Sequence, residues 1–211
     1  MPLKISAHPN PPPRGTPRRR RRGDPGAGDG RVGGVAAPSV KIRPCEERDV
    51  AAVTEIYAHH VRHSLATFEL EPPDHAEMRR RRRALLAGGY VYLVAERGAD
   101  VVGYAHAGPY RARPAYRHTV ENSVYIRPGC ERRGIGRVLL GALVAACEQK
   151  GFRQIVAVIG DSAHEASIRL HARLGFRMVG TLNAVGFKFG RWVDSVLMQR
   201  PLGCGDGSLP D

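Results

Sequence analysis

The chain has 211 residues, is 42% hydrophobic and carries 33 Lys plus Arg against 20 Asp plus Glu, a formal net charge of +13. That length supports one sizeable core, and no run of about 18 apolar residues exists to suggest a membrane span. Cys45, Cys130, Cys147 and Cys204 lie far apart with no C-x-x-C pair, which excludes a disulfide scaffold and a cysteine zinc site and predicts reduced thiols in a cytoplasmic protein without a metal.

Residues 1–38 hold Pro11 to Pro13, five arginines from Arg18 to Arg22 and a glycine-rich run from Gly23 to Gly34, with no apolar periodicity. This composition predicts a disordered basic tail. The tail has eight Lys or Arg against Asp24 and Asp29, hence +6, which leaves +7 on the remainder. A basic body suits small polyanionic ligands as well as nucleic acid, so charge alone does not choose the partner. No aromatic interleaving or folded recognition motif accompanies the arginines, which makes nucleic acid the weaker expectation. The Arg-rich start is not followed by an apolar stretch, so no secretory signal is expected.

A short strand is predicted at Val40 to Arg43, stopping at Pro44. Val50, Val53, Ile56, Tyr57 and Val61 form one helical stripe between Glu46 and His63. Asp74 is placed to cap a second helix running to about Leu86, in which Arg79 to Arg83 reads as a solvated surface. Tyr90 to Ala95 and Val101 to Ala107 form a predicted hairpin, followed by a polar loop with Arg111, Arg113 and Tyr116.

The strand ending at Ile126 carries Glu121, Asn122, Ser123, Val124 and Tyr125 and leads into the turn from Arg127 to Gly136. A helix is predicted from near Arg137, with Leu139, Leu140, Leu143, Val144 and Cys147 on one side and Gly151 as its stop. A basic glycine turn at a helix start presents unpaired N–H groups to an anion. Leu139 occupies the place of the third glycine of a dinucleotide fingerprint, and the Lys-Ser/Thr ending of a P-loop is missing. Gln154 to Ile159 reads as a buried parallel strand, and Ser162 to Glu165 has capping-box form before a helix that Gly175 ends. Two last strands, about Phe176 to Leu182 and Trp192 to Gln199, flank a turn region from Gly186 to Gly190. The order predicts a mixed α/β domain over residues 39–203, followed by a flexible end at 204–211.

Three stretches, Tyr116 to Ile126, Arg132 to Arg137 and Val185 to Asp194, resemble the GNAT superfamily of acyl-CoA-dependent N-acetyltransferases, in its phosphinothricin and methionine sulfoximine acetyltransferase branch. Ala157 to Gly160, Ser167 to His171 and Leu174 to Phe176 fall between them in the family's order. The resemblance implies a splayed sheet gripping acetyl-CoA, and a homodimer. It also implies Glu121 as general base, with His171 or Tyr125 as proton source for the departing thiolate. Acetyl-CoA would meet Val124, Tyr125, Ile126, Arg132, Arg133, Gly134, Ile135, Gly136, Arg137 and His164, and the acceptor would meet Phe68, Arg111, Arg113, Tyr116, Asn122 and Ser123. His171 also reads as a packed or capping residue, and Phe68 as a core aromatic. The chain departs from the family pattern at Glu131, three residues before the first glycine of the turn, and at His164, where the family carries Asn. The expected reaction is acetylation of a small amino-acid analogue. The alternatives are a protein N-terminus, another small amine, or a non-catalytic nucleic-acid-binding protein.

Overall fold

The computed structural model describes residues 40–210; the tail expected at 1–38 falls outside them. Seven strands and four α-helices follow in the order β1 (Lys41–Pro44), α1 (Val50–His63), α2 (His75–Ala87), β2 (Tyr92–Arg97), β3 (Asp100–Pro109), β4 (Thr119–Ile126), α3 (Ile135–Gln149), β5 (Gln154–Gly160), α4 (Glu165–Arg173), β6 (Arg177–Lys188) and β7 (Arg191–Pro201). One sheet runs β1-β2-β3-β4-β5-β7-β6, antiparallel everywhere except between β4 and β5.

The apolar stripe of α1 does what its spacing dictates. Val50, Val53, Ile56, Tyr57 and Val61 are buried against Tyr92, Val94, Val101, Tyr104 and Tyr125 on one face of the sheet. On the other face Leu139, Leu140, Leu143, Val144 and Cys147 of α3 pack with Val102, Ala105, Val120 and Ile155. Asp74 caps α2 by accepting the Glu77 N–H at 2.7 Å. A half-buried ionic group, Arg43 with Asp49 and Glu96, joins β1, β2 and the start of α1.

Several boundaries differ from the sequence expectation, three of them with a visible cause. α3 begins at Ile135, two residues early, because Gly134 takes φ 79 as its N-cap and turns the chain directly into the helix. No capping box forms at Ser162: the N-cap of α4 is His164, while Ser162 Oγ donates to Asp194 Oδ2 at 2.6 Å. β6 continues to Lys188 through an irregularity between Leu182 and Gly186, so the turn shrinks to Phe189-Gly190, both at positive φ.

Beyond the last strand, the Arg153 guanidinium donates to Ser208 Oγ and to the Leu209 carbonyl. Residues 204–210 are thereby drawn back against the start of β5.

Candidate active site

The site arises where the sheet stops being a sheet. β4 and β5 pair in parallel from Thr119↔Gln154 to Asn122↔Ala157, and past that point they diverge. The Thr119 carbonyl accepts from Tyr110 and the Arg127 N–H donates to Val102, so the odd-numbered main-chain groups of β4 face β3. The even-numbered ones therefore face β5, and those of Val124 and Ile126 open onto the widening gap. His60, which sequence reasoning missed, takes one of these groups, with Nε2 2.9 Å from the Ile126 carbonyl. The Val124 N–H stays available in the cleft. Ala66, Asn122, Ser123, Val124, Tyr125, His164 and His171 line this cleft together with Ala157 to Gly160.

Alternation along β4 sorts the site residues between the two faces. Tyr125 packs among the α1-side residues, and Glu121 shares its face two pleats away. Burial pushes the Glu121 carboxyl above its ordinary value, partly opposed by the Arg111 guanidinium. A carboxylate raised in this way holds a proton more readily, as a general base near neutrality must. Arg111 itself is exposed and lies over the Tyr110 ring, while Tyr116 meets that ring edge-on. Arg113 is the N-cap of the single helical turn Pro114–Tyr116 that carries Tyr116.

Asn122 and His171 meet on the opposite face, beneath α4. His171 is 2% exposed, and burial keeps its imidazole below the ordinary pKa. The structure therefore brings Asn122, Ser123, Val124, Tyr125, His164 and His171 into one cleft but sends Glu121 out of β4 on the side opposite Asn122 and its partner His171.

Phe68 stands at the cleft margin on the segment between α1 and α2. A Cβ at Gly186 would meet its ring at 3.0 Å, and one at Gly160 would lie 2.0 Å from the Leu65 carbonyl. Lys188, also missed from sequence, is 3% exposed and donates from Nζ to the carbonyls of Ser64 and Thr67. It secures the segment that carries Ala66 and Phe68. No sequence signal marked it, because Lys188 falls in the turn region expected from Gly186 to Gly190.

At the other end of the cleft, the positive-φ residues Gly129, Arg132 and Gly134 wind the turn into the N-terminus of α3. Among the described residues no carboxylate pairs with Arg132, Arg133 or Arg137, and Arg127 Nε is buried without a partner. The arginines of α2 differ: Arg79, Arg82 and Arg83 reach Glu47, and Arg80 and Arg81 reach Glu77. Unpaired guanidinium groups and open helix N–H groups at one end, with an unpaired strand N–H at the other, fit a diphosphate joined to a long amide-bearing arm.

A family model described as an acetyltransferase (GNAT) domain matches residues 42–197. The chain belongs to the GNAT acetyltransferases. It is 52% identical over 177 residues to a phosphinothricin N-acetyltransferase of Alcaligenes faecalis, spanning 84% of this chain and 90% of the relative. It is 40% identical to an L-methionine sulfoximine/L-methionine sulfone acetyltransferase of Salmonella typhimurium, over 76% of this chain and 94% of that one. A phosphinothricin acetyltransferase of Sinorhizobium meliloti, solved in complex with AcCoA, superposes with a TM-score of 0.79 at 44% identity, covering 82% of this chain and 93% of that one. The expected fold is borne out in the splayed mixed sheet, and the GNAT assignment supplies acetyl-CoA as co-substrate. No group of three or more metal-binding side chains occurs among the described residues.

Proposed function

We propose that this GNAT acetyltransferase acetylates the primary amine of a small amino-acid analogue of the phosphinothricin, methionine sulfoximine or methionine sulfone type. The observation that carries the reading is a half-buried carboxylate, Glu121, beside Arg111 at the mouth of the splayed β4–β5 junction. When bound, acetyl-CoA supplies an activated acetyl thioester. Its diphosphate would lie on the turn from Arg132 to Arg137 and its arm along Val124 to Ile126, with His164 beside it.

Glu121 takes the proton of the substrate ammonium, directly or through water, and Arg111 with Arg113 and Tyr116 receives the acceptor's acidic end. The Val124 N–H faces the place where negative charge develops on the carbonyl oxygen, a preorganised donor that costs no rearrangement. Burial keeps the Tyr125 hydroxyl protonated, so it or solvent returns a proton to the departing sulfur. His171, held by hydrogen bonds at both ring nitrogens, serves to position rather than to donate.

The β6–β7 hairpin exposes Leu182, Val185, Phe187, Phe189 and Trp192, the last 66% exposed. Such a surface supports a homodimer formed through this hairpin. The buried free thiols of Cys45, Cys130 and Cys147 suit a reducing cytoplasm.

A thiol-release assay tests the acceptor. The three analogues should each turn over at least about tenfold better in kcat/KM than ordinary amino acids. Turnover of peptide N-termini without turnover of the analogues would reassign the substrate.

A further inference from the structure

Asn122 is 6% exposed and lines the cleft, yet its Oδ1 is buried with no hydrogen-bond partner among the described residues. A buried amide oxygen left unpaired is costly, and native sites seldom keep one without a use. Which amide atom faces the cleft follows from a chain of donors. His171 Nδ1 lies 2.9 Å from the Ser167 carbonyl, which can only accept, so the Nδ1 carries the proton. In the neutral ring Nε2 is then a lone-pair acceptor. The Asn122 atom 3.0 Å from it must be the Nδ2 donor, and Oδ1 turns away from His171.

The two faces of β4 decide what this oxygen meets. Glu121 leaves β4 on the side of α1, and the amine must lie there to lose its proton. Asn122 leaves on the side of α3 and α4, the side on which the anion-holding turn enters α3. From Ile126, nearest that turn, to Asn122 is four residues of strand, about 13 Å at roughly 3.3 Å per residue. An arm starting at the turn and following the Val124 edge reaches Asn122 with the end that carries the thioester.

We propose that Asn122 Oδ1, oriented by the tautomer of His171, accepts an amide N–H of the pantetheine arm of acetyl-CoA. This rests on the acetyl-CoA reading of the cleft. It gives the Asn122–His171 pair a binding task distinct from the proton chemistry of Glu121.

Calorimetry with acetyl-CoA tests the idea on the full chain. Asn122→Leu, nearly the same shape without an acceptor, should weaken binding about tenfold. Equal affinity of Asn122→Leu and wild type would overturn the proposal while leaving the cleft's assignment intact. Absence of any binding heat in wild type would remove the assignment itself.

A second measurement needs no variant. In the ¹⁵N-labelled protein, the side-chain amide resonances of Asn122 should shift when coenzyme A is added and stay still when methionine sulfoximine is added alone. A shift with the amine alone, or none with coenzyme A, overturns the proposal even if Asn122→Leu does not fold.

Discussion

β5 has two neighbours, and it treats them differently. Toward β7 it pairs along its whole length, Gln154↔Pro201 through Gly160↔Ser195, while toward β4 it pairs over four residues and then departs. The finished junction lies within the core, where Ile155, Val196 and Met198 are buried together. The unfinished one leaves the Val124 N–H and Asn122 Oδ1 without partners among the described residues. Stability resides where hydrogen bonding is complete, and chemistry resides where it has been left incomplete.

The sharpest test of that division is Glu121→Gln. It should lower kcat by about 10²–10⁴-fold while leaving thermal stability and acetyl-CoA affinity near wild type. The same group sets the acid limb of kcat/KM. Burial raises its pKa, so wild-type activity should fall, as pH drops, at a value above that of an ordinary Glu, and the variant should lose this limb. A variant retaining full activity would place the base elsewhere.

Gly160→Ala probes the finished side. Its Cβ would fall 2.0 Å from the Leu65 carbonyl, and a cost of about 3 kcal/mol in denaturant unfolding is expected. Lys188→Met spans both regions. Two carbonyls lose their donor, which predicts about 2 kcal/mol of destabilisation together with a raised KM for the amine and an unchanged KM for acetyl-CoA.

The smallest effect belongs to the arginines. Arg133→Ala should weaken acetyl-CoA binding about threefold and flatten its salt dependence. Arg80→Ala, which breaks only an exposed pair with Glu77, should leave both the unfolding midpoint and acetyl-CoA binding where they are in wild type.

Much of this was legible in sequence because it is local. The stripes of α1 and α3 are buried as their spacing requires, and the turn before α3 forms where glycine and arginine cluster. What escaped depends on distant partners. Lys188 finds its carbonyls more than a hundred residues away, and Asn122 and His171 meet across 49 positions. Ser162, which had every local reason to cap α4, was drawn instead to Asp194, 32 positions on. The run Arg79 to Arg83 illustrates the same limit, since only the fold reveals that three of its arginines reach Glu47, while among the described residues no carboxylate pairs with Arg132 or Arg133.

The splay past Asn122 has a consequence for ancestry. On the proposed reading, its grip on the acetyl donor is shared between side chains, Asn122 and the turn arginines, and peptide groups, which every residue except proline supplies alike. Point substitutions therefore have little purchase on the main-chain share. The segment carrying Phe68 and the loop carrying Arg111 contribute side chains, and these are free to drift. A lineage built this way can exchange one acceptor for another over time without ever having to reinvent how it holds its acyl source.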